Sequence, residues 1–429
     1  MLKKILGTIC TRYLIAFLNL ALIFINAKIL GIEGVGMIGL IVASINIAAI
    51  FNGILCGTTI IYFMNRYSMR TVFLPAYLWD PCGSFLACGF MYITGLLPER
   101  YGMDIFFLSI INSLVNANAR FLLGKDHVTG FNLTSVLQGG LMFFVLLFFY
   151  YRWDMRDVGS YVKALYITNG LAFIVSLWIL LPYLLREQRL LVCPPLIPLL
   201  KEMFVYGLWS GADTLAETFT SRLTYFFMQR FGGLGSVGML DAGTKVSESV
   251  WHISRSVGFI EYSSVAKTKD SEEQRLVTLR LLKLTSCALI LVMVCILLIP
   301  EWVYTDYLFS LEFKGIRQVI CGLSLGIIVL GCNTVLSSYF VGSGRVRYST
   351  ASSCIGLITL LIMGYLLIPS YGIIGAAIST SFAFTAMLIF SLMAFLKLTH
   401  TCWRELLLSK GDLLMAKKQI QTMRENLPF

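Results

Sequence analysis

The chain has 429 residues, of which 57% are hydrophobic and only 13% are charged, and its mean hydropathy is +0.79. A soluble globular domain carries about 25% charged residues, so this composition excludes an ordinary soluble protein. The composition indicates a polytopic membrane protein.

Apolar runs recur along the whole chain, and most are near the length that crosses about 30 Å of hydrocarbon. The seventh and eighth runs are the weakest by hydropathy because polar residues interrupt them. We predict an all-α protein of about twelve spans. These are 9–30, 37–64, 73–97, 104–124, 131–151, 160–185, 200–229, 236–266, 276–299, 316–341, 347–369 and 372–397.

The basic residues predict the orientation. With both termini and the even-numbered connections on the cytoplasmic side, 22 of the 34 Lys and Arg residues lie inside and 7 lie outside. A bias of this size is typical of the positive-inside rule. We expect a multi-pass protein of the inner membrane with both termini in the cytoplasm. The net charge of +11 then reflects topology, and it does not indicate nucleic-acid binding.

Two short segments recur at matching positions of the two halves. Segment 30–37 (LGIEGVGM) resembles 232–239 (GGLGSVGM) at an offset of 202, and segment 123–128 resembles 341–346 at an offset of 218. Halves of six spans each share one orientation and are related by an axis along the membrane normal. We predict an N-terminal lobe, a cytoplasmic linker, a C-terminal lobe and a cytoplasmic tail, at 1–186, 187–200, 201–397 and 398–429.

The same glycines match the dinucleotide pattern GxGxxG at 34–39 and 233–238. That fingerprint requires a preceding strand and a βαβ unit, which the hydropathy does not predict, so we interpret both as turns between helices. The eleven cysteines form no CxxC pair, and the three histidines lack metal-ligand spacing. We predict no metal site, no catalytic residues and no enzyme, because the connections are too short for a catalytic domain.

Polar residues form stripes along single faces of four predicted spans. A charge in the hydrocarbon is costly, so such residues face the bundle interior or water. Span 1 carries Thr8, Arg12, Asn19 and Asn26; span 4 carries Ser109, Ser113, Asn116 and Arg120; span 7 carries Asp213, Glu217, Thr220 and Thr224; span 8 carries Asp241, Lys245, Glu248, His252 and Arg255. In span 7, Arg222 points away from the stripe.

These residue types suit a hydrophilic anion. Arginines at one depth on several helices match the oxygens of a phosphate, and the neighbouring amides and hydroxyls match sugar hydroxyls. A structural alternative is that Asp241–Lys245 and Lys245–Glu248 are neutralising pairs. We select a substrate-binding set for testing: Arg12, Asn19, Asn116, Arg120, Asp213, Glu217, Asp241, Lys245, Glu248 and Arg255.

The chain resembles the multidrug/oligosaccharidyl-lipid/polysaccharide exporter (MOP) superfamily, and most of all its polysaccharide-transporter branch of Wzx-type O-antigen flippases. The resemblance is carried by the turn at 30–36 (LGxEGxG), the turn at 237–238 (VG), the segment 339–345 (YFVGSGR) and the segment 369–377 (PSYGIIGAA). It implies two six-helix lobes around a cationic cavity that moves undecaprenyl-pyrophosphate-linked sugars to the outer leaflet. By that resemblance Arg12, Arg120, Lys245 and Arg255 contact the head group.

The resemblance also implies a lipid-linked oligosaccharide as substrate, the bilayer as surroundings and polysaccharide polymerase or assembly proteins as partners. The acids in the stripes depart from a purely cationic cavity, which leaves coupling to protons or sodium open; no other cofactor is expected. Two other functions stay open. A drug or cation antiporter would share the fold, whereas a membrane-embedded glycosyltransferase or polymerase would need a long outer loop, which the sequence lacks.

Overall fold

The computed structural model describes residues 2–64, 66–125, 127–186, 196–267 and 270–406. In these ranges the chain is predominantly helical and contains no strand, so the all-α prediction is confirmed and neither GxGxxG segment follows a strand. The helices are α1 Leu2–Cys56, α2 Thr58–Met64, α3 Met69–Ile93, α4 Gly102–Gly124, α5 Val128–Ser135, α6 Leu141–Arg152, α7 Val158–Arg186, α8 Leu196–Lys267, α9 Ser271–Leu298, α10 Ile316–Gly342 and α11 Val346–Thr399. A π-helical segment, Val136–Gly140, joins α5 to α6.

Three of these helices are far too long for one crossing, at 55 residues in α1, 72 in α8 and 54 in α11. Each contains one glycine with non-helical angles: Gly31 (φ 68°), Gly233 (φ 75°) and Gly372 (φ 55°). Positive φ is readily accessible only to glycine. Each long helix is therefore two helical segments joined at a glycine.

Contacts across the break show that α11 reverses direction at Gly372. Ser391 Oγ lies 3.0 Å from Ser352 Oγ, and a Cβ on Gly356 would lie 2.5 Å from the Met387 side chain. In each pair, the two residues lie about equally far from Gly372 along the chain, one before it and one after it. In α8, Arg222 and Glu248 form an ion pair although they lie on opposite sides of Gly233 along the chain. Both helices are therefore antiparallel hairpins.

Seven helical runs in the described ranges are long and apolar enough to cross a membrane: Thr11–Met64, Glu99–Gly124, Val128–Arg152, Val158–Arg186, Ser271–Leu298, Ile316–Gly342 and Val346–Thr399. The two charged segments of α8 are not among these runs, which confirms the prediction that the seventh and eighth runs are weakly hydrophobic. Helix α3 does not qualify either; it carries Arg70, Asp80 and two prolines.

Helices α1 and α8 lie at the centre and pack against each other. Helix α1 also packs against α3 and α4, whereas α8 packs against α9, α10 and α11. The two repeated glycine segments meet reciprocally between α1 and α8. A Cβ on Gly36 would lie 2.1 Å from the Leu234 carbonyl oxygen, and one on Gly238 would lie 1.9 Å from the Ile32 carbonyl oxygen. We call this the glycine contact, and the end of the molecule that holds it the glycine-turn end.

The opposite ends of α1 and α8 touch as well. A Cβ on Gly207 would lie 1.8 Å from the carbonyl oxygen of Ile54. The hydroxyls of Tyr13 and Ser256 lie 3.0 Å apart. The central helices therefore approach each other at both ends, and the polar stripes lie between these contacts.

Candidate functional site

The stripe on the second segment of α8 begins with an ion pair. Lys245 Nζ donates to Asp241 Oδ2 at 2.7 Å, one helical turn away. Asp241 is almost fully buried, and Gly39 of α1 leaves room for it because a Cβ there would lie 3.0 Å from the Asp241 carboxyl carbon. The predicted Asp241–Lys245 pair is therefore present, and each charge neutralises the other.

Glu248 pairs across the α8 hairpin. Its Oε2 accepts from an Arg222 guanidinium nitrogen at 3.2 Å, and the other terminal nitrogen of Arg222 donates to the Tyr225 hydroxyl at 2.8 Å. The proposed Lys245–Glu248 pair does not form. Spacing along one helix could not predict this partner, because the turn at Gly233 brings Arg222 opposite Glu248.

This second pair leads to a prediction about stability. Glu248→Gln should destabilise the protein by roughly 3 kcal/mol, since removing one partner of a mostly buried pair leaves the other charge uncompensated. Thermal unfolding in detergent measures the loss. The double variant Glu248→Gln with Arg222→Gln should recover much of it. An unchanged melting temperature in Glu248→Gln would contradict a stabilising role for the pair.

Arg12 and Arg255 are brought together by neighbouring residues. Tyr13 follows Arg12 and is hydrogen-bonded to Ser256, which follows Arg255. The positive charge of Arg255 acts on Arg12, and both side chains are exposed. Two neighbouring guanidinium groups repel each other, and an anion between them would remove the repulsion. We call these two residues the paired arginines.

Arg255 is held in place by an aromatic ring. Its guanidinium carbon lies 3.8 Å from the centre of the Trp251 ring, in stacking geometry. The indole nitrogen of Trp251 donates to Thr334 Oγ1 of α10 at 2.8 Å. In the described part of the chain no carboxylate forms an ion pair with Arg255. The guanidinium is therefore positioned, and its outer edge is available to a ligand.

Arg120 has different neighbours. It is half-buried in α4, and its charge acts on the thiol of Cys56 in α1. No described contact joins it to the paired arginines, so it stays a separate candidate.

The amides of the predicted set lie in two settings. Asn19 is exposed on α1, whereas Asn116 is half-buried and donates to the Asn112 carbonyl one turn earlier in α4. A part-buried amide network beside Asn116 was not predicted from the sequence. Gln138 donates to Asn112 Oδ1 at 2.7 Å and to Asn169 Oδ1 at 3.2 Å. An amide at position 138, inside the apolar fifth run, was the signal that could have found it.

Two acids of the seventh predicted span complete the set. Glu217 is half-buried on the first segment of α8, between the fully buried Ala216 and Thr220. The side chain of Asp213 lies outside the described residues.

Two fully buried carboxylates were not predicted. Asp80 of α3 and Glu261 of α8 are 0% exposed; Ser113 and Cys56 lie beside Asp80, and Thr278 lies beside Glu261. Glu261 is buried because α9 and α10 cover that face of α8. An acid alone in the apolar third run was the signal for Asp80.

A cleft of about 930 Å³ opens at the glycine-turn end. It is lined by Ala27, Lys28, Ile29, Leu30, Gly31, Thr305, Asp306, Phe309, Ser310, Leu311 and Glu312. Glu312 Oε2 accepts from the Ile32 backbone N–H at 2.8 Å and so ties this connection to the α1 break. None of the predicted substrate residues lines the cleft.

The fold resembles solved transporter structures. An inward-facing multidrug resistance MATE transporter of the MOP superfamily superposes with a TM-score of 0.71 and 15% identity, over 90% of this chain and 94% of that one. The lipid II flippase MurJ in an inward closed conformation superposes with a TM-score of 0.68 and 15% identity, over 100% of this chain and 94% of that one. Both are transporters rather than enzymes.

Sequence comparison is less informative. No protein-family profile matches the chain. An uncharacterized membrane protein of Methanocaldococcus jannaschii is 26% identical over 197 residues, which are 45% of this chain and 39% of that protein. The chain thus matches about two-fifths of that relative's length. The chain therefore has the fold of these solved transporters, and its apolar helical runs are those of a multi-pass membrane protein.

Proposed function

We propose that the chain is a flippase that moves a pyrophosphate-linked oligosaccharide on a polyprenyl lipid from the cytoplasmic to the outer leaflet. The observation that carries this proposal is the pairing of Arg12 with Arg255 between the two central helices. A guanidinium matches phosphate oxygens through two parallel hydrogen bonds, and two guanidinium groups suit a doubly charged diphosphate. The likeness to a lipid II flippase over the full chain supports the same substrate class.

The twelve-helix, two-lobe arrangement is part of this proposal. Reversals at Gly31, Gly233 and Gly372 would divide the long helices into crossing segments of 25 to 37 residues. The glycine contact supports a pseudo-two-fold axis. Gly238 lies 202 residues after Gly36, and Leu234 lies 202 residues after Ile32, which is the offset of the sequence repeat. Gly36 approaches Leu234 and Gly238 approaches Ile32, so the repeat relates the two contacts to each other. The proposed lobes are 1–186 and 201–397.

The paired arginines explain how such a protein lowers the barrier to flipping. Their charges would replace the water around the diphosphate, while the amides near Asn116 would bond to sugar hydroxyls. Asp241–Lys245 and Arg222–Glu248 are internally neutral, so they leave the cationic character of the site to the arginines. A membrane potential that is negative inside would assist outward movement of the anion by roughly 2.3 kcal/mol per charge per 100 mV.

A multidrug antiporter is the second candidate, favoured by the TM-score of 0.71 with a MATE transporter. Gene deletion separates the two functions. Loss of a flippase should leave lipid-linked oligosaccharide on the inner leaflet and remove the surface polysaccharide. Unchanged surface polysaccharide with new sensitivity to cationic drugs would favour the antiporter and contradict the flippase. Polymerase or assembly proteins as partners are part of the flippase proposal.

The proposed orientation in the inner membrane has its own test. Reporter fusions at Arg66, Lys125, Arg189, Lys269 and Arg345, and at both termini, should be active only with cytoplasmic reporters. The excess of basic residues on that side is the physical reason. Fusions within 98–101 and at Phe231 serve as controls and should be active only with periplasmic reporters. Periplasmic activity at Lys269 would contradict the span count and the two-lobe arrangement.

A further inference from the structure

Three amide side chains meet where α4, α7 and the π-helical segment pack together. Gln138 Nε2 donates to Asn112 Oδ1 at 2.7 Å and to Asn169 Oδ1 at 3.2 Å. Each of the three residues lies near the centre of a helical run that is long enough to cross a membrane. The cluster therefore lies near the middle of the three crossings. We call it the amide cluster.

Gln138 is held on a short stretch with unusual helix geometry. The Leu141 N–H donates to the Val136 carbonyl, five residues earlier, which is the hydrogen bond of a π-helix. Single π-helical turns within α-helices are rare and are frequent at functional sites. Gly139 follows Gln138 and allows the stretch to approach α1, because a Cβ on Gly139 would lie 2.9 Å from the Ile15 side chain.

The amide cluster lies close to the arginines of the proposed substrate site. Ile15 is three residues from Arg12, so the π-helical segment contacts α1 roughly 5 Å along the helix axis from a paired arginine. On α4, Asn112, Asn116 and Arg120 follow at intervals of four residues, which places all three on one face. The rise from Asn112 to Arg120 is roughly 12 Å, close to the length of a diphosphate with one attached sugar.

The hydrogen bonds within the amide cluster leave donor and acceptor atoms unused. Both N–H groups of the Gln138 amide bond to the asparagine oxygens, so its Oε1 stays an acceptor. In the described part of the chain, neither that oxygen nor Asn112 Nδ2 has a hydrogen-bond partner, and neither atom is fully buried. The nitrogen of Asn169 differs, because it donates to the Leu165 carbonyl at 2.9 Å. An adjacent donor and acceptor match a pair of sugar hydroxyls, each of which can donate and accept.

A role restricted to helix packing does not account for these unused atoms. A buried amide that only joins membrane helices has its polar atoms bonded, as Asn118 of α4 does. Its Nδ2 donates to Ser176 Oγ at 3.0 Å, its Oδ1 accepts from the Tyr77 hydroxyl, and the residue is 0% exposed. Gln138 and Asn112 are only half-buried, so their remaining polar atoms are available to a ligand.

We propose that the amide cluster is a sugar subsite that accepts a neutral hexose or N-acetylhexosamine next to the diphosphate. Its three side chains are uncharged, and the charged residues of α4, Asp104 and Arg120, each lie about two turns from Asn112. An acidic sugar would place its carboxylate beside amides without a positively charged partner, which is costly away from water. The subsite therefore selects neutral over acidic sugars. This proposal rests on the proposed flippase function and names the sugar class that follows the diphosphate.

Binding of substrate fragments to the purified full chain in lipid nanodiscs tests the subsite. The probes are geranyl diphosphate and geraniol, each without a sugar and with glucose, galactose, N-acetylglucosamine or glucuronic acid attached. Empty nanodiscs correct for partition into the lipid. We expect at least one neutral sugar to raise the affinity about tenfold over the sugar-free probe, which one or two hydrogen bonds supply. Glucuronic acid, which differs from glucose by a carboxylate, should give no such gain.

Variants then assign the preference to the amide cluster. Gln138→Met keeps the length of the side chain but removes its polar atoms, so the ratio of affinities with and without a neutral sugar should fall to about one. Asn112→Leu removes the neighbouring unused nitrogen and should have the same effect, which keeps the test available if Gln138→Met does not fold. Asn118→Leu is the matched control, because it removes an amide with bonded polar atoms from the same helix and should keep the ratio.

The proposal is overturned if no neutral sugar raises the affinity in either series, or if glucuronic acid raises it as much as glucose. A preference that survives in both Gln138→Met and Asn112→Leu, or that is lost equally in Asn118→Leu, would also overturn it. Failure of the proposed function would appear elsewhere, as binding of geranyl diphosphate that Arg12→Ala and Arg255→Ala leave unchanged. The geraniol series contains no phosphate, so the two proposals can fail separately.

Discussion

Replacing either paired arginine by alanine should abolish transport while the protein still inserts into the membrane. Each guanidinium would offer a diphosphate two charge-assisted hydrogen bonds, and a hydrogen bond to a charged group contributes about 1.5–3 kcal/mol. That loss lowers binding by roughly thirtyfold or more. Insertion should not suffer, because the hydrocarbon disfavours a charged side chain. Arg255→Lys and Arg12→Lys should keep part of the activity, since lysine retains the charge but lacks the planar fork.

Complementation of a flippase-null strain measures this effect, with surface polysaccharide scored against the amount of protein in the membrane. Lys163→Ala is the matched control, because Lys163 is an exposed cation on α7 and should be dispensable. Arg120→Ala is tested beside them, and the same loss is expected if it contacts the head group. Full activity of all three arginine variants at normal abundance would show that these residues are structural and that the substrate site is wrong.

The sequence predicted the helices and part of the candidate site because both depend on local periodicity. The spacing of four residues predicted the Asp241–Lys245 pair, and the glycine pattern predicted helix turns rather than nucleotide loops. Positive φ at Gly31 and Gly233 agrees with that interpretation.

Contacts between distant segments could not be predicted from periodicity. The partner of Glu248 depends on where α8 turns, so the pairing with Arg222 needed the structure. Asp80 and Glu261 were missed for a related reason. Each is a single acid outside a stripe, and its burial depends on neighbouring helices that periodicity does not reveal. The repeat at 202 residues predicted related halves, but nothing in it indicated that the two repeated turns pack on each other.

Replacing a glycine by alanine at the glycine contact should strongly affect the packing of α1 against α8. A methyl group on Gly36 or Gly238 would lie about 2 Å from a backbone carbonyl oxygen of the other central helix. Backbone atoms cannot rotate away as a flexible side chain can, so Gly36→Ala or Gly238→Ala must separate α1 from α8 at this end. Overpacking of this kind costs about 1–3 kcal/mol, which shifts a two-state equilibrium by roughly 5–150-fold.

We therefore expect Gly36→Ala and Gly238→Ala to open the glycine-turn end. If the proposed flippase exposes its site to the two sides of the membrane in turn, this end must close, so both variants should also reduce transport. Fluorophores on genetically encoded azide side chains at positions 33 and 231, both exposed, report the distance between the helices by energy transfer. Gly53→Ala is the matched control, because a Cβ at that position of α1 meets no atom within 4 Å. The two contact variants should lengthen the distance, and Gly53→Ala should not. An unchanged distance in both contact variants, or equal opening in Gly53→Ala, would show that the glycine contact does not control closure of this end.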